Sequence, residues 1–229
     1  MRIEALIFDI GNVLVPFDWQ LFKKGLQAGG ANLTADAETE FRELSIRFDI
    51  GEMTGEIFSR VAIRMLGFQG DERGFVTIWN SIFSSNPSMN RTIRGLKERF
   101  PLFLLSNTSD LHLDYLRKNC DVLQYFADGV FSFRAKCAKP DRRIFEIALK
   151  QFGLQPESTI YVDDLPANVR SASDLGFKAI RYDLAKHAEF EHRLAELGIE
   201  IPSIPEAEAD QQKAFSTGRD SGESEASAH

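Results

Sequence analysis

Five short apolar segments recur along the chain and predict strands: residues 5–10, 101–107, 129–133, 159–164 and 178–183. Each is about as long as an ordinary strand, and most lack a regular polar alternation. That pattern is typical of strands buried on both faces in a parallel sheet. Helical patterns lie between the segments. The alternation predicts right-handed β-α-β units and an α/β fold with a doubly wound parallel sheet.

Two helices of this predicted core show terminal signals. Residues 141–153 carry an apolar stripe, with Asp141 as the expected N-cap and Gly153 as the expected stop. A second helix is predicted to begin at Ser88, with a serine cap. We expect the core to comprise residues 1–15 and 88–204.

Residues 16–87 interrupt the alternation, because they contain no convincing strand and several amphipathic helical stretches. The apolar stripes are Phe41, Leu44 and Phe48; Ile57, Val61 and Met65; and Phe75, Ile78, Trp79, Ile82 and Phe83. Together with residues 19–28, they predict a four-helix cap inserted after the first strand. We expect this cap to lie over the carboxyl edge of the sheet.

Charge and composition narrow the range of partners. The 229 residues carry 27 basic and 34 acidic side chains, a net charge of −7, so no basic surplus favours nucleic acid. The first residues lack a secretory signal, and no apolar run approaches the ~18 residues that span a bilayer. Cys120 and Cys137 follow no zinc spacing. These features predict a cytoplasmic protein without membrane contact; residues 205–229 are predicted to form a disordered acidic tail.

Polar side chains follow four of the five predicted strands or lie in the loops after them. They are Asp9; Ser106, Asn107 and Thr108; Lys139; and Asp163 and Asp164. In an open parallel sheet ligands bind at the carboxyl edge, so these side chains are expected to form one pocket. Three converging carboxylates require a cation, and oxygen ligands suit Mg²⁺. With a lysine and a hydroxyl–amide cradle, the set predicts a clamp for a phosphoryl group.

Two features of the first loop fit this interpretation. Asp9 stands at a sharp turn after a strand, where it can act as a nucleophile and form an aspartyl-phosphate. Gly11 lacks a side chain, so its backbone carbonyl can approach the metal.

The ordered motifs resemble those of the haloacid dehalogenase superfamily, and most of all its bacterial sugar-phosphate phosphatases, including glucose-1-phosphatase-like proteins. The motifs are "FDIGNVL" (8–14), "LLSNT" (104–108), "AKPD" (138–141) and "YVDD" (161–164). The resemblance implies that Asp9 is the nucleophile and a magnesium ligand, and that Ser106, Asn107 and Lys139 bind the phosphoryl group. It also implies Mg²⁺ ligation by the Gly11 carbonyl and by Asp164, with Asp163 beside it or acting through water.

One position departs from the family pattern. Phosphatases of this superfamily usually carry a second Asp, an acid–base group, where this chain has Gly11. His112 is one candidate substitute, since an ordinary histidine pKa of about 6.5 suits proton transfer; Asp18 is another, although it is also the expected N-cap of the first cap helix. Alternatively, the substrate is an anomeric sugar phosphate or an acyl phosphate, which leaves with little need for a proton.

Other functions stay open at this point. A 2-haloacid dehalogenase would use Asp9 without a second Asp, but the "VDD" pair is out of place there. A catalytically silent binding protein and a dinucleotide-binding fold are weaker alternatives, the latter because no GxGxxG follows the first strand. We expect a small phosphorylated substrate and a monomer or homodimer. Residues of the cap that could set specificity are Trp19, Arg42, Arg47 and Asn80.

Overall fold

Five parallel strands form the centre of the protein in the computed structural model, which describes residues 2–202. They are β1 (Ala5–Phe8), β2 (Leu102–Ser106), β3 (Asp128–Phe131), β4 (Thr159–Asp163) and β5 (Lys178–Arg181). Their order in the sheet is β3-β2-β1-β4-β5, and Leu6 of β1 pairs with Leu102 on one side and Ile160 on the other. The predicted doubly wound parallel sheet is confirmed. The predicted tail, residues 205–229, lies outside the described residues.

Ten α-helices surround or cover the sheet in the described part of the chain. They are α1 (Trp19–Ala28), α2 (Ala35–Asp49), α3 (Gly55–Leu66), α4 (Glu72–Asn80), α5 (Pro87–Lys97), α6 (Asp110–Asn119), α7 (Ser132–Ala135), α8 (Arg142–Phe152), α9 (Pro166–Asp174) and α10 (His187–Glu196). Among residues 2–202, no helix combines the length and the apolar character that crossing a bilayer requires.

The strands are buried on both faces, as their unbroken apolar character predicts. In β1, Leu6 and Phe8 point into one hydrophobic cluster with α5, α6 and α10, whereas Ile7 points into another with α8 and α9. All four residues of β1 are fully buried. The central strand is therefore held in place by packing, which fixes the residues that follow it.

Helices α1 to α4 share a hydrophobic cluster of their own, built around Phe58, Phe75 and Trp79. Paired segments link this unit to the sheet: residues 16–18 run antiparallel to residues 82–84, with a bridge between Phe17 and Phe83. The last residue of α2 also contacts the first residue of α7, just after β3, where the Ser132 hydroxyl donates to the carbonyl of Asp49 over 2.5 Å. The unit thus lies over the carboxyl edge of the sheet. Domain boundaries at residues 15/16 and 87/88 stay a prediction.

Three details of the predicted helices are wrong. In α3, Ile57 and Val61 are 51% and 38% exposed, and the neighbouring stripe that includes Phe58 and Ala62 is buried instead. Because both stripes are apolar and one residue apart, a 100° rotation of the helix exchanges them. Helix α5 begins at Pro87 with Asn86 as its side-chain cap, not at Ser88. Helix α4 ends at Asn80, so Ile82 and Phe83 belong to the link that follows it.

Candidate active site

The turn after β1 places Asp9 at the carboxyl edge of the sheet. Its backbone N–H donates to the carbonyl of Val162 on β4 over 2.9 Å, which extends the sheet pairing to the site. The next residues fold back at once, because the N–H groups of Leu14 and Val15 both donate to the Ile10 carbonyl. Asp9 is 8% exposed. The Asp9 carboxyl group is therefore almost shielded from water, and hydrogen bonds fix the backbone at Asp9 and just after it.

Lys139 lies at the centre of the site, surrounded by oxygen atoms. Its Nζ is 2.9 Å from Asp9 Oδ1, 2.7 Å from Asp163 Oδ2 and 2.9 Å from the carbonyl oxygen of Leu105. The side chain is almost completely buried. Burial alone would lower the pKa of Lys139, but the two carboxylates raise it above its ordinary value. The ammonium group therefore stays charged in the free protein.

Asp163 accepts donors on both of its oxygens. Oδ2 accepts from Lys139 and from the Tyr161 hydroxyl, and Oδ1 accepts from the backbone N–H of Leu165 over 2.9 Å. The Asn168 amide nitrogen lies 2.9 and 3.1 Å from the two oxygens and donates to this carboxylate as well. Asp163 is fully buried. Its lone pairs are used by protein donors, which suits a positioning role.

Asp164 is in a different environment although it is the next residue. It is only partly buried, and its Oδ2 accepts a long hydrogen bond of 3.3 Å from the Asn12 amide. Burial is the main cause that raises its pKa, and the nearby Asp163 charge adds to the effect. Asp164 Oδ2 is thus only weakly held by other protein groups.

The three carboxylates form a cluster that fits a divalent cation. Asp9, Asp163 and Asp164 each offer an oxygen, and these atoms lie within 4.8 Å of one another. Burial raises the pKa of Asp9 to about 6; Lys139 lowers it, Asp163 raises it, and the Ser106 hydroxyl lowers it. One ammonium group faces three acids, so negative charge is left uncompensated. An oxygen-rich, acidic cluster of this kind matches the ligand preference of Mg²⁺.

The last residue of β2 and the residues after it form the second side of the site. Ser106 is buried beside Asp9. The Asn107 side chain exchanges two hydrogen bonds with the backbone of Lys139, donating to its carbonyl over 2.9 Å and accepting from its N–H over 2.8 Å. The backbone N–H of Thr108 donates to the Ser132 hydroxyl over 2.9 Å. The loop that carries Lys139 is therefore fixed to the end of β2.

An aromatic ring occupies the space beside Gly11. A Cβ atom added to Gly11 would lie 2.9 Å from Cε1 and 3.4 Å from Cδ1 of Phe17. The first distance is shorter than real Cβ contacts allow, so a larger residue at Gly11 requires the ring to move. Phe17 was not among the site residues predicted from the sequence.

His112 lies under the helical unit, in aromatic surroundings. Its ring stacks on Trp79 with a centroid distance of 4.5 Å and an angle of 7°, and its Nε2 lies 3.1 Å from the Trp79 carbonyl. Because a carbonyl only accepts, Nε2 carries the proton. Burial lowers the pKa of His112 to about 4, which favours the neutral ring. Its part in proton transfer stays a prediction.

The remaining candidates are more peripheral. The Asp18 side chain caps α1 by accepting from the Gln20 N–H over 2.8 Å, as expected for its structural role. Arg42 is exposed, and Arg47 pairs with Glu52 over 2.7 Å. Trp19 is 41% exposed and lies against Trp79 and His112, and Asn80 is buried.

Sequence reasoning also missed Asp49, at the end of α2. Its backbone carbonyl accepts from Ser132, and burial raises the pKa of its carboxyl group to about 7. Tyr161 and Asn168 were missed as well, although both contact Asp163. Tyr161 is two residues before Asp163 on the same buried strand, which is the only sequence signal that could have indicated it.

Comparison with known proteins agrees with this geometry. A family model described as haloacid dehalogenase-like hydrolase matches residues 3–176. The chain belongs to this family, as its motifs predict, and it is a hydrolase.

Three similar proteins illustrate the extent of the similarity. A mouse protein, acyl-CoA dehydrogenase family member 10, is 31% identical over 79% of this chain, which spans 18% of that relative's length. D-ribitol-5-phosphate phosphatase of Bacteroides thetaiotaomicron is 24% identical, with 78% of this chain and 91% of the relative covered. A solved haloacid dehalogenase family enzyme from the same bacterium, a magnesium complex, has a TM-score of 0.72 at 25% identity, with 80% and 95% covered.

Proposed function

We propose that the protein is a Mg²⁺-dependent phosphatase that hydrolyses a small phosphorylated metabolite, such as a sugar phosphate, through an aspartyl-phosphate on Asp9. The observation that carries this proposal is the contact of Asp9 with Lys139 inside a cluster of three carboxylates. The similarity to a phosphatase named for D-ribitol 5-phosphate supports hydrolysis of a small phosphate ester.

The metal would be held by Asp9, Asp164 and the backbone carbonyl of Gly11, with Asp163 near it. When bound, Mg²⁺ supplies positive charge for the phosphoryl oxygens and orients them for in-line attack. The looser environment of Asp164 suits direct ligation better than that of Asp163, whose oxygens already accept several protein hydrogen bonds.

The chain's own residues would divide the remaining work. The Asp9 carboxylate attacks phosphorus, and the Lys139 ammonium neutralises charge on Asp9 and on the phosphoryl group. Ser106 would donate to a phosphoryl oxygen, while Asn107, which hydrogen-bonds the Lys139 backbone, would offer its second amide proton to the phosphoryl group. Helices α1 to α4 would act as a cap that excludes water and contacts the metabolite.

Dehalogenation is less consistent with this site. Displacement of halide by a carboxylate needs no cation. Three acids facing a single ammonium group would then carry charge without a chemical purpose. The same charge argues against a silent binding protein, because a site released from catalysis gains nothing from buried, uncompensated carboxylates.

The experiment is phosphate release from sugar phosphates, nucleotides and acyl phosphates, with Mg²⁺ and with EDTA. Asp9→Asn removes the nucleophile, and Asp114→Asn, an exposed acid on α6, is the matched control. We expect Mg²⁺-dependent turnover that Asp9→Asn abolishes and Asp114→Asn preserves. Release that persists in Asp9→Asn would refute the assignment, and no release from any substrate would direct attention to 2-haloacids.

A further inference from the structure

The Phe17 ring lies beside Gly11, on one side of the turn that follows Asp9, the proposed nucleophile. Its Cε1 atom occupies the space that a side chain at Gly11 would enter, 2.9 Å from the added Cβ. A carboxylate two residues after Asp9 could reach the leaving oxygen of a phosphate held by Asp9. Here the corresponding volume contains an apolar ring with no proton to give.

Contacts on both sides hold this ring in place. The backbone of Phe17 bridges to Phe83 in the paired link between the helical unit and the sheet, and its N–H donates to Asn12 Oδ1 over 3.4 Å. The ring meets Trp19 edge-on at a centroid distance of 5.9 Å, and it packs on the hydrophobic cluster of α1 to α4. Phe17 is thus part of the junction, and a side chain at Gly11 cannot displace it without disturbing that junction.

Lys139, Tyr161 and His112 already donate their protons to other groups of the protein. Protons of Lys139 face Asp163 and the Leu105 carbonyl as well as Asp9, and the Tyr161 hydroxyl donates to Asp163. His112 donates its one ring proton to the Trp79 carbonyl. None of these described groups has a free proton to offer a leaving oxygen.

We propose that Gly11 and the Phe17 ring beside it together determine specificity, because they leave no acid at this position and so restrict the enzyme to phosphates whose leaving group departs as a weakly basic anion. This inference rests on the proposed phosphatase function and narrows its substrate class. Enol phosphates, acyl phosphates and anomeric sugar phosphates fit it, whereas primary alkyl phosphates do not, so the preferred substrate would differ from the D-ribitol 5-phosphate for which one relative is named. General acid assistance is worth roughly a hundred- to ten-thousand-fold, so its absence discriminates strongly between these classes.

The steps balance without a protein acid at this position. An Asp9 oxygen forms a bond to phosphorus, the bond from phosphorus to the leaving oxygen breaks, and its electron pair stays on that oxygen, which is protonated later by solvent. A water oxygen then bonds to phosphorus, the bond from Asp9 oxygen to phosphorus breaks, and the water proton passes to solvent. The products are inorganic phosphate and the Asp9 carboxylate.

The test compares p-nitrophenyl, phenyl and benzyl phosphate, which are similar in size but differ in leaving-group basicity. For the wild type with Mg²⁺, we expect kcat/KM for p-nitrophenyl phosphate to exceed that for benzyl phosphate by at least a hundredfold, as the loss of acid assistance implies. In Gly11→Asp combined with Phe17→Ala, the ratio should shrink at least tenfold. Phe17→Ala alone, which opens the space without adding an acid, should leave the ratio unchanged.

The possible outcomes distinguish failure of the proposed phosphatase function from failure of the inference about Phe17. Absence of Mg²⁺-dependent release even from p-nitrophenyl phosphate refutes the proposed function itself. Release at similar rates from p-nitrophenyl and benzyl phosphate leaves the phosphatase in place and overturns the inference about Phe17. A folded double variant whose ratio equals that of the wild type also overturns it. The wild-type ratio needs no variant, so it remains informative if the double variant fails to fold.

Discussion

The two adjacent acids of the fourth strand end should differ sharply in what they contribute to stability. Asp163 is fully buried and accepts from Lys139, Tyr161, Asn168 and the Leu165 N–H. In Asp163→Asn, one carboxylate oxygen becomes an amide nitrogen. Whichever oxygen is replaced, at least two donors then point at a donor, and Lys139 loses one of its two counter-charges.

The size of this effect follows from the contacts. A hydrogen bond to a charged group is worth about 1.5–3 kcal/mol, and removal of one partner from a buried ion pair costs about 3–5 kcal/mol. We therefore expect Asp163→Asn to lower the free energy of unfolding by about 4 kcal/mol. For a chain of this size, 1 kcal/mol corresponds to about 2–4 °C, so Tm should fall by about 8–16 °C.

Asp164→Asn is the matched control, because it makes the same chemical change one residue later. Asp164 is partly exposed and accepts only a 3.3 Å hydrogen bond from Asn12, so its substitution should cost less than about 1 kcal/mol, as for other weakly buried sites. Urea unfolding and thermal melting in EDTA, which removes any bound cation, measure both. Equal losses in the two variants, or a loss below 1 kcal/mol in Asp163→Asn, would refute the distinction between a buried positioning acid and a loosely held one.

Three further predictions concern groups around the site. His112→Gln keeps a donor for the Trp79 carbonyl. Because burial lowers the pKa of His112 to about 4, we expect kcat of this variant to stay within tenfold of the wild-type value. A loss of a hundredfold or more would indicate that His112 acts as an acid or base. Burial raises the pKa of Asp49 from 3.8 to about 7, so folding stability is greatest below pH 4 for this group and is lost as pH rises through 7. Asp49→Asn should remove that loss. The difference in free energy of unfolding between this variant and the wild type should therefore favour the variant by up to about 4 kcal/mol more at pH 8 than at pH 4, at about 1.4 kcal/mol per tenfold change in proton affinity. Curves of stability against pH that run parallel for the two proteins would contradict this. Gly51 has φ +71° and an added Cβ would lie 2.1 Å from the Phe133 carbonyl oxygen, so Gly51→Ala should lower Tm clearly, whereas Gly67→Ala, also at positive φ but with open space around it, should lower it less.

Strands and the residues that follow them were predictable because local chemistry is unambiguous there. A buried parallel strand must be apolar throughout, so a carboxylate such as Asp9 or Asp163 marks its end and the start of the ligand-binding edge. The sheet order then brings separate strand ends together without any further information from the sequence. For that reason the cluster of Asp9, Lys139, Asp163 and Asp164 could be anticipated.

Packing choices between chemically similar residues could not be anticipated. In α3, two apolar stripes one residue apart compete, and only contact with α2 and α4 selects the stripe with Phe58 over that with Ile57. Phe17 looked like a residue before a helix cap, and its position over Gly11 depends on pairing with Phe83, more than sixty residues later. The Asn86 cap was missed because Ser88 lies two residues further on and has equal propensity for capping.

The surroundings of the site disfavour the charges of its clustered acids. The cluster leaves one lysine against three acids, and burial raises the pKa of Asp9 to about 6, so ionisation of Asp9 is less favourable than that of an exposed aspartate. Replacing these groups with apolar residues would be neutral or stabilising in a protein without a chemical task. The presence of these groups, together with a dense set of donors on Asp163, is what the proposed function would explain, because a divalent cation would balance the two negative charges that three acids and one lysine leave over.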